Sequence, residues 1–372
     1  MGTKVLWSLA LGAWLMLPWR PAWGDIVVGQ TADLSGPASA SVKELNLGAA
    51  LYVDEVNRRG GVHGQRIRLV QLDDRNDPAI APVNAQSLIN EHKALVLFLS
   101  RGTPHTQAIV PLLREHGIGL VAPSTGAMVL RHPVNPYVFN VRASYQREAE
   151  RAVEHLFGLG IQRVSILHVN DTFGEDAAAG ALRGFASAGA SPAATERFDR
   201  ETKDFARLAG RIVAAGSQAV LIIGSGAAVA SATQSLRALG SRAQVVTLAN
   251  NASGGFIKQL GGVAHGVIVT QVFPSERSLS VPVAKEANDL ARAGGVQELT
   301  PAMMEGFVSA KVLVEGLKRA GPEPTRMKVV EALRTLRRFD VGGLEIGYSP
   351  GDHGGIRYVD ISIISADGRF LR

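Results

Sequence analysis

The sequence contains no cysteine among its 372 residues. Disulfides, thiolate metal sites and cysteine nucleophiles are therefore excluded. Aromatic residues make up only 6% of the chain, and the 39 basic residues are scattered along it. A nucleic-acid-binding protein usually clusters its basic residues beside aromatic ones. The formal net charge of +6 therefore predicts a solvated surface and no nucleic-acid partner.

Recognisable catalytic and cofactor motifs are also missing. The chain has no GxSxG, HExxH or P-loop sequence, and its nine histidines show no metal-ligand spacing. The segment 224–226 (GSG), followed by Val229, is only a broken dinucleotide fingerprint. We therefore expect no catalytic residues and no cofactor.

One acidic cluster resembles a metal site. Asp73, Asp74 and Asp77 lie close together in the sequence. Arg75 sits among them and Pro78 follows them, which favours a turn capped by carboxylates over a cation site. The sequence therefore predicts no metal.

The first 24 residues have the three parts of a secretory signal peptide. Lys4 supplies the positive start, 5–17 form an apolar run, and 22–24 (AWG) give a small-x-small cleavage signal. The apolar run is too short to span a bilayer comfortably, and no later segment has 18 uninterrupted apolar residues. We expect an exported, soluble protein, and without cysteine it carries no lipid anchor.

Apolar strands and amphipathic helices alternate along the rest of the chain. Residues 26–31 predict a short strand, and the following helix carries Leu45 and Ala49 on one face. Residues 94–99 are continuously apolar, as in a strand covered on both sides. The alternation restarts at Tyr145. This pattern predicts an α/β fold with two Rossmann-like lobes, each built on a parallel sheet flanked by helices.

Small polar residues follow several of the predicted strands. The carboxyl ends of parallel strands meet at one sheet edge, so these loops should converge there. Free N–H groups at the helix starts suit a carboxylate. Each loop alone is explained by capping, but five at one edge favour a binding cleft. The five loops are 99–104, 122–126, 171–174, 224–226 and 248–251.

Several motifs together resemble a known family. The chain from 25 to 372 is similar to the type I periplasmic binding proteins, in the branch of leucine/isoleucine/valine-binding receptors of ABC importers. The motifs that carry the resemblance are 34–37 (LSGP), 54–64 (DEVNRRGGVHG), 73–78 (DDRNDP), 122–145 (APSTGAMVLRHPVNPYVFNVRASY) and 170–174 (NDTFG).

The resemblance implies two lobes joined by three hinge crossings, near Arg142, Pro274 and Phe339. Ligand binds between the lobes and favours the closed state, because only that state offers both sets of contacts. The implied division of the chain is 1–24 for the signal peptide, 25–142 plus 275–338 for the first lobe, and 143–274 plus 339–372 for the second.

The resemblance also implies a ligand site. Hydroxyl and backbone N–H groups of the first lobe hold the ligand's carboxylate, and an aromatic residue at a second-lobe helix start covers the ligand. That aromatic position matches Phe173. The candidate ligand-binding residues are Ser41, Ser100, Thr103, Ser124, Thr125, Gly126, Phe173, Ser225, Asn250 and Asn251.

Two departures from the family pattern bear on the ligand. The family's small disulfide is absent, since its two positions match Asn76 and Gly102. The second-lobe carboxylate that neutralises an amino acid's ammonium matches Ala249, and a buried ammonium without a counter-charge is costly. We therefore expect a carboxylate or polar amide without a free α-amino group, or one whose amino group is held by Asn250 and Asn251.

The function implied is a periplasmic receptor that delivers a small organic solute to an ABC permease in the inner membrane, acting as a monomer. A ligand sensor that reports to a regulator is one alternative. An exported hydrolase using Asp171 and Asp199 is a remote one, because no nucleophile is paired with a base at a recognisable spacing. Among the histidines, only His105 falls in a candidate cleft loop.

Overall fold

The computed structural model describes residues 24–372, and the predicted signal peptide lies outside them apart from its last residue. The first part of the chain forms a five-stranded parallel sheet in the order β2-β1-β3-β4-β5. Its elements are β1 (Ile26–Ala32), α1 (Ser39–Arg58), β2 (Ile67–Asp73), α2 (Ile80–Asn90), β3 (Val96–Phe98), α3 (Thr103–Glu115), β4 (Leu120–Val121) and β5 (Val138–Phe139).

The chain then builds a second parallel sheet, as predicted. Buried apolar strands at its centre explain why helices cover both faces. Its elements are α4 (Tyr145–Gly158), β6 (Val164–Val169), α5 (Thr172–Ser187), β7 (Thr195–Phe198), α6 (Ala206–Ala214), β8 (Ala219–Ile223), α7 (Gly226–Ala238), β9 (Gln244–Thr247), α8 (Gly254–Leu260) and β10 (Ile268–Gln271).

The last part of the chain returns to the first lobe and then to the second. Two final strands extend the second sheet to seven strands in the order β14-β13-β10-β9-β8-β6-β7, with β13 antiparallel to β10 and β14 antiparallel to β13. These elements are α9 (Pro282–Ala293), α10 (Pro301–Arg319), α11 (Arg326–Arg334), β11 (Phe339–Asp340), β12 (Glu345–Ile346), β13 (Asp360–Ile364) and β14 (Phe370–Leu371).

The third crossing lies farther along the chain than the expected position near Phe339. Val341 and Tyr348 pack in the hydrophobic core of the first lobe. The Tyr348 ring lies 5.3 Å from that of Phe139, and its hydroxyl donates to the Asn140 carbonyl at 3.0 Å. The chain therefore stays with the first lobe through residue 356 and enters the second sheet only at β13.

Candidate ligand-binding site

Backbone strain marks the sheet edge of the first lobe. Leu99 and Ala122 follow the carboxyl ends of β3 and β4, with φ angles of 52° and 51°. Non-glycine residues seldom adopt such angles, and strain of this kind concentrates at functional sites. Both side chains are buried, so packing fixes the turns that lead into the polar loops.

A cavity of about 50 Å³ lies between the two lobes at this edge. It shares Asn76, Arg200 and Ser225 with a wider cleft of about 770 Å³ that opens to solvent. Side chains from both lobes therefore surround one enclosed space. The residues that line the cavity are Asp33, Ala38, Asn76, Arg101, Gly102, Thr103, His105, Tyr145, Phe173, Arg200, Ser225 and Asn250.

Hydrogen bonds join the two lobes around the cavity. Arg101 Nη2 of the first lobe donates to the Asn250 carbonyl of the second at 2.9 Å. Thr172 Oγ1 donates to Gln107 Oε1 at 2.7 Å. Arg200, which pairs with Asp171 of its own lobe, reaches Asn76 Oδ1 of the other. The structure therefore represents the closed arrangement of the lobes.

Arg101 is the main cation of the cavity wall, and the predicted set did not contain it. It is half-buried, and no carboxylate of residues 24–372 lies within 4.0 Å of its guanidinium. Burial lowers the pKa of Arg101, and the negative charges of Tyr145, Glu305 and Asp33 oppose this effect without cancelling it. A half-desolvated guanidinium without a carboxylate partner is a ready site for an anion.

The predicted first-lobe hydroxyls are mostly occupied by the protein itself. Thr103 lines the cavity, with its hydroxyl 2.8 Å from that of the buried Thr125. The Ser124 hydroxyl donates to Glu305 at 2.8 Å, and its backbone N–H donates to the Ser100 carbonyl at 2.8 Å. Of these predicted groups, only Thr103 is placed to meet a ligand.

Three other predicted first-lobe residues have structural roles outside the cavity lining. The Ser100 hydroxyl lies 3.2 Å from that of Thr106, and the Ser41 hydroxyl lies 3.1 Å from that of Ser253 in the second lobe. Gly126 allows a close approach, because a Cβ there would lie 2.5 Å from the Tyr145 backbone nitrogen.

Most of the predicted second-lobe residues line the cavity. Phe173 lines the cavity, with its ring 4.6 Å from that of Tyr145. Asp171 begins α5 by accepting the Phe173 N–H, which fixes the aromatic ring at the cavity. Ser225 lines the cavity and caps α7, while Asn250 lines it beside Arg101. Phe173, Ser225 and Asn250 thus join Thr103 as the predicted residues that face the cavity.

Asn251 lies behind Asn250 and is fully buried. Its Nδ2 donates to the Gly224 carbonyl and to Thr247 Oγ1, and its Oδ1 accepts from Asn250 Nδ2 at 3.1 Å. Asn251 therefore positions Asn250 and does not line the cavity.

Asn76 and Gly102, at which the resemblance predicted the loss of a disulfide, both line the cavity. Asn76 accepts the bond from Arg200, and Gly102 has a φ of 90°, which favours glycine. A Cβ at Gly102 would lie 2.6 Å from His105 Nδ1. Asn76 thus takes part in a cross-lobe hydrogen bond, and the His105 ring lies against Gly102.

His105, which lines the cavity, lies next to the buried Asp74. His105 Nε2 lies 3.9 Å from Asp74 Oδ1, and both side chains are almost fully buried. Burial lowers the pKa of His105 to about 4 and raises the pKa of Asp74 to about 7. His105 is therefore neutral at neutral pH. The sequence alone shows only that His105 is the one histidine in a candidate cleft loop.

The carboxylate that contacts Ala249 is already paired. The backbone N–H of Ala249 donates to Glu148 Oε2 at 2.9 Å. Glu148 is fully buried and binds Arg142 at 2.7 Å and Thr270 Oγ1 at 2.6 Å. This carboxylate belongs to the hinge, where it already has a counter-charge.

Asp33 is the one carboxylate in the cavity lining, and it was not predicted. Its two oxygens accept the backbone N–H groups of Gly36 and Ala38. The acidic cluster nearby is likewise used in turns, since Asp73 accepts the Leu34 N–H and Asp77 accepts the Ala79 N–H. Within residues 24–372 no group of three or more acidic or histidine side chains is placed to hold a metal ion.

The sequence pattern of the periplasmic binding protein family matches residues 25–369. The chain belongs to this family. A solved substrate-binding periplasmic protein from Ralstonia solanacearum has a TM-score of 0.84 at 31% identity, covering 93% of this chain and 99% of that one. An extracellular ligand-binding receptor from Verminephrobacter eiseniae has a TM-score of 0.84 at 27% identity, covering 94% and 100%.

Relatives found by sequence also include binding proteins. The Leu/Ile/Val-binding protein homolog 3 of Brucella melitensis is 24% identical over 357 residues, covering 94% of each chain. The predicted family and the predicted fold class are therefore confirmed. The chain is a substrate-binding protein and not an enzyme, which sets aside the hydrolase alternative. None of the helices formed by residues 24–372 is both long and apolar enough to cross a membrane.

Glu44 of this binding protein joins the lobes at a second place, away from the cavity lining. Its carboxylate accepts the N–H groups of Gly254 and Gly255, which begin α8 in the second lobe, at 3.0 and 2.7 Å. It also accepts from Thr300 Oγ1 of the first lobe at 2.7 Å. A first-lobe carboxylate thus caps a second-lobe helix in the closed state.

Replacing Glu44 with alanine is expected to favour the open state. Charge-assisted bonds across the lobes are lost only in the closed form, so the closed-to-open ratio should fall about tenfold. Small-angle X-ray scattering should show a larger radius of gyration for the ligand-free variant. Glu55→Ala is the matched control, because Glu55 pairs with Arg58 and Arg59 near its own helix end. Equal radii for both variants would contradict a role for Glu44 in closure.

Proposed function

We propose that this protein captures a small carboxylate between its two lobes in the periplasm and delivers it to the permease of an ABC importer. The observation that carries the proposal is Arg101, a half-buried guanidinium in the wall of the cavity with no carboxylate partner in the described chain. A ligand carboxylate would supply the missing negative charge.

The surroundings of Arg101 support an anionic group. Thr103 lines the same cavity and begins α3, whose first N–H groups carry partial positive charge. Arg200 adds a second guanidinium, although it is paired with Asp171. Asp33 is the one acidic residue in the lining, and two backbone N–H groups already bind it. The balance of charge favours a carboxylate ligand.

The cavity offers poor support for an α-ammonium group. The family's counter-charge position is Ala249, and the nearby Glu148 is bound to Arg142 in the hinge. An ammonium beside Arg101 and Arg200 would add like charges in a partly desolvated space. The proposed ligand is therefore a carboxylate without a free α-amino group, and an amino acid is the competing ligand class.

Isothermal titration calorimetry with matched ligands tests this proposal. We expect an aliphatic or aromatic carboxylate to bind at least about tenfold more tightly than the amino acid of the same carbon skeleton, because two guanidinium groups line the cavity against the single carboxylate of Asp33 and disfavour a further positive charge. Leucine serves as the reference amino acid, and mass spectrometry of the natively purified protein identifies any copurified acid. Tight leucine binding with no binding of acids would refute the proposal.

A further inference from the structure

Two buried polar side chains in the cavity wall have ring or amide atoms without a hydrogen-bond partner. On the second lobe, Asn250 Oδ1 accepts no bond. On the first lobe, the His105 ring makes no well-formed hydrogen bond, although the Asn76 backbone lies close enough to raise its pKa. Asn250 is 7% exposed and His105 is 2% exposed, and both line the cavity. Buried polar atoms are nearly always paired, so Asn250 Oδ1, in a residue that lines the cavity, is the candidate contact for a hydrogen-bond donor of the ligand.

The orientation of the Asn250 amide is fixed by its neighbours. Its Nδ2 donates to the Gly224 carbonyl and to Asn251 Oδ1, both at 3.1 Å. Asn251 cannot reverse its own amide, because its Nδ2 donates to Gly224 and to Thr247 Oγ1. A flipped Asn250 would place its oxygen against two acceptors. Oδ1 therefore stays an acceptor that needs a donor from the ligand.

His105 faces the cavity as a neutral group. It has one ring nitrogen that donates and one that accepts. Its Nε2 is too far from Asp74 Oδ1, at 3.9 Å, for a hydrogen bond. His105 can therefore bind a hydroxyl or an amide but cannot act as a counter-charge.

The unpartnered acceptor lies next to the proposed carboxylate site. Arg101 Nη2 donates at 2.9 Å to the backbone carbonyl of the same Asn250 whose Oδ1 is unpartnered. One ligand could therefore reach both groups only with its donor close to its carboxylate. The cavity of about 50 Å³ leaves room there for a small group.

We infer that this cleft selects carboxylates that carry a neutral donor, a hydroxyl or an amide N–H, close to the carboxylate. The inference rests on the proposed function, because it assumes that Arg101 binds the carboxylate. A ligand of this kind binds Arg101 of the first lobe through its carboxylate and donates to Asn250 Oδ1 of the second lobe through its neutral group. It thus joins both walls of the closed cleft, which a ligand with only a carboxylate does not do.

Calorimetry with three ligands of one carbon skeleton tests the inference: 4-methylpentanoate, 2-hydroxy-4-methylpentanoate and leucine. We expect the hydroxy acid to bind about tenfold more tightly than the plain acid, the effect of one hydrogen bond to an otherwise unsatisfied buried acceptor. Asn250→Ala should bring this ratio close to one. Asn90→Ala, at an exposed position on α2, is the matched control and should keep the ratio.

A second variant guards against a folding defect. Asn251→Ala keeps the Asn250 side chain but removes one group that fixes its orientation, so the ratio should fall only in part. A ratio is insensitive to the fraction of folded protein, and thermal unfolding checks each variant.

The outcomes separate the inference from the proposed function. Equal binding of the two acids, or a ratio unchanged in Asn250→Ala, overturns the inference and leaves the proposed carboxylate receptor standing. If leucine binds more tightly than either acid, both the inferred neutral donor and the proposed preference for carboxylates without an amino group are overturned. If none of the three ligands binds, both the proposed function and the inference fail for this class of solute.

Discussion

Replacing Arg101 with methionine is expected to weaken binding of a carboxylate ligand about a hundredfold, because truncating one partner of a desolvated charge pair leaves the other charge uncompensated. Methionine keeps much of the side-chain volume, so the change is mainly one of charge and hydrogen bonding. The Asn250 carbonyl would lose its bond from Arg101 as well. Calorimetry with the tightest-binding acid measures the effect.

Arg75→Met is the matched control for this experiment. Arg75 is exposed and lines the outer cleft, but it does not line the cavity. Its loss should reduce long-range attraction of anions and change affinity by less than about threefold. Similar losses for both variants would mean that general surface charge attracts the ligand. An unchanged affinity in Arg101→Met would remove Arg101 from the site altogether.

Replacing Arg142 with methionine is expected to lower the free energy of unfolding by about 3–5 kcal/mol, the usual result of removing one partner from a buried ion pair. Arg142 is 1% exposed at the first hinge crossing. It lies 2.7 Å from Glu148 and 3.4 Å from Glu305, which come from different lobes. Burial alone would lower the pKa of Arg142, yet Glu305 and Glu148 raise it above its ordinary value.

The loss should be large because both carboxylates would stay buried without their cation. Urea unfolding of the ligand-free protein measures it. Arg147→Met is the matched control, since Arg147 is exposed and lies 3.4 Å from Glu150 in a surface pair. We expect that control to change stability by less than about 1 kcal/mol. If the two variants lose equal stability, the buried ion pairs of Arg142 are not a main source of stability at the hinge.

The elements that sequence reasoning found are those with a clear period or apolar run. Residues 94–99 predicted a buried strand, and β3 occupies Val96–Phe98. The predicted helix that carries Leu45 and Ala49 on one face is α1 (Ser39–Arg58), in which both residues are buried. In contrast, the edge strand β7 has Thr195, Glu196 and Arg197 before its one buried residue, so it lacks an apolar run. Such a strand depends on its backbone pairing with the neighbouring strand β6, which its own sequence does not reveal.

The sequence predicted where the candidate site lies, but it identified only some of the residues that line it. The five polar loops did suggest a cleft at one sheet edge, and four of the ten candidate residues line the cavity between the lobes. Ser124 and Asn251 instead bind other protein groups. Arg101 lies inside the first of these loops, but a loop sequence that also contains hydroxyl residues does not show which side chain faces the cavity.

The sequence by itself determined the order of strands and helices, the doubled α/β plan and the family, because period, apolar runs and motif spacing are local or follow the chain order. The tertiary structure alone decided which polar groups are free. Ser124 is occupied by Glu305, which lies 181 residues away, and Arg101 meets the carbonyl of Asn250, 149 residues away. Free hydrogen-bonding capacity depends on partners brought together by folding and lobe closure, and chain order does not list those partners.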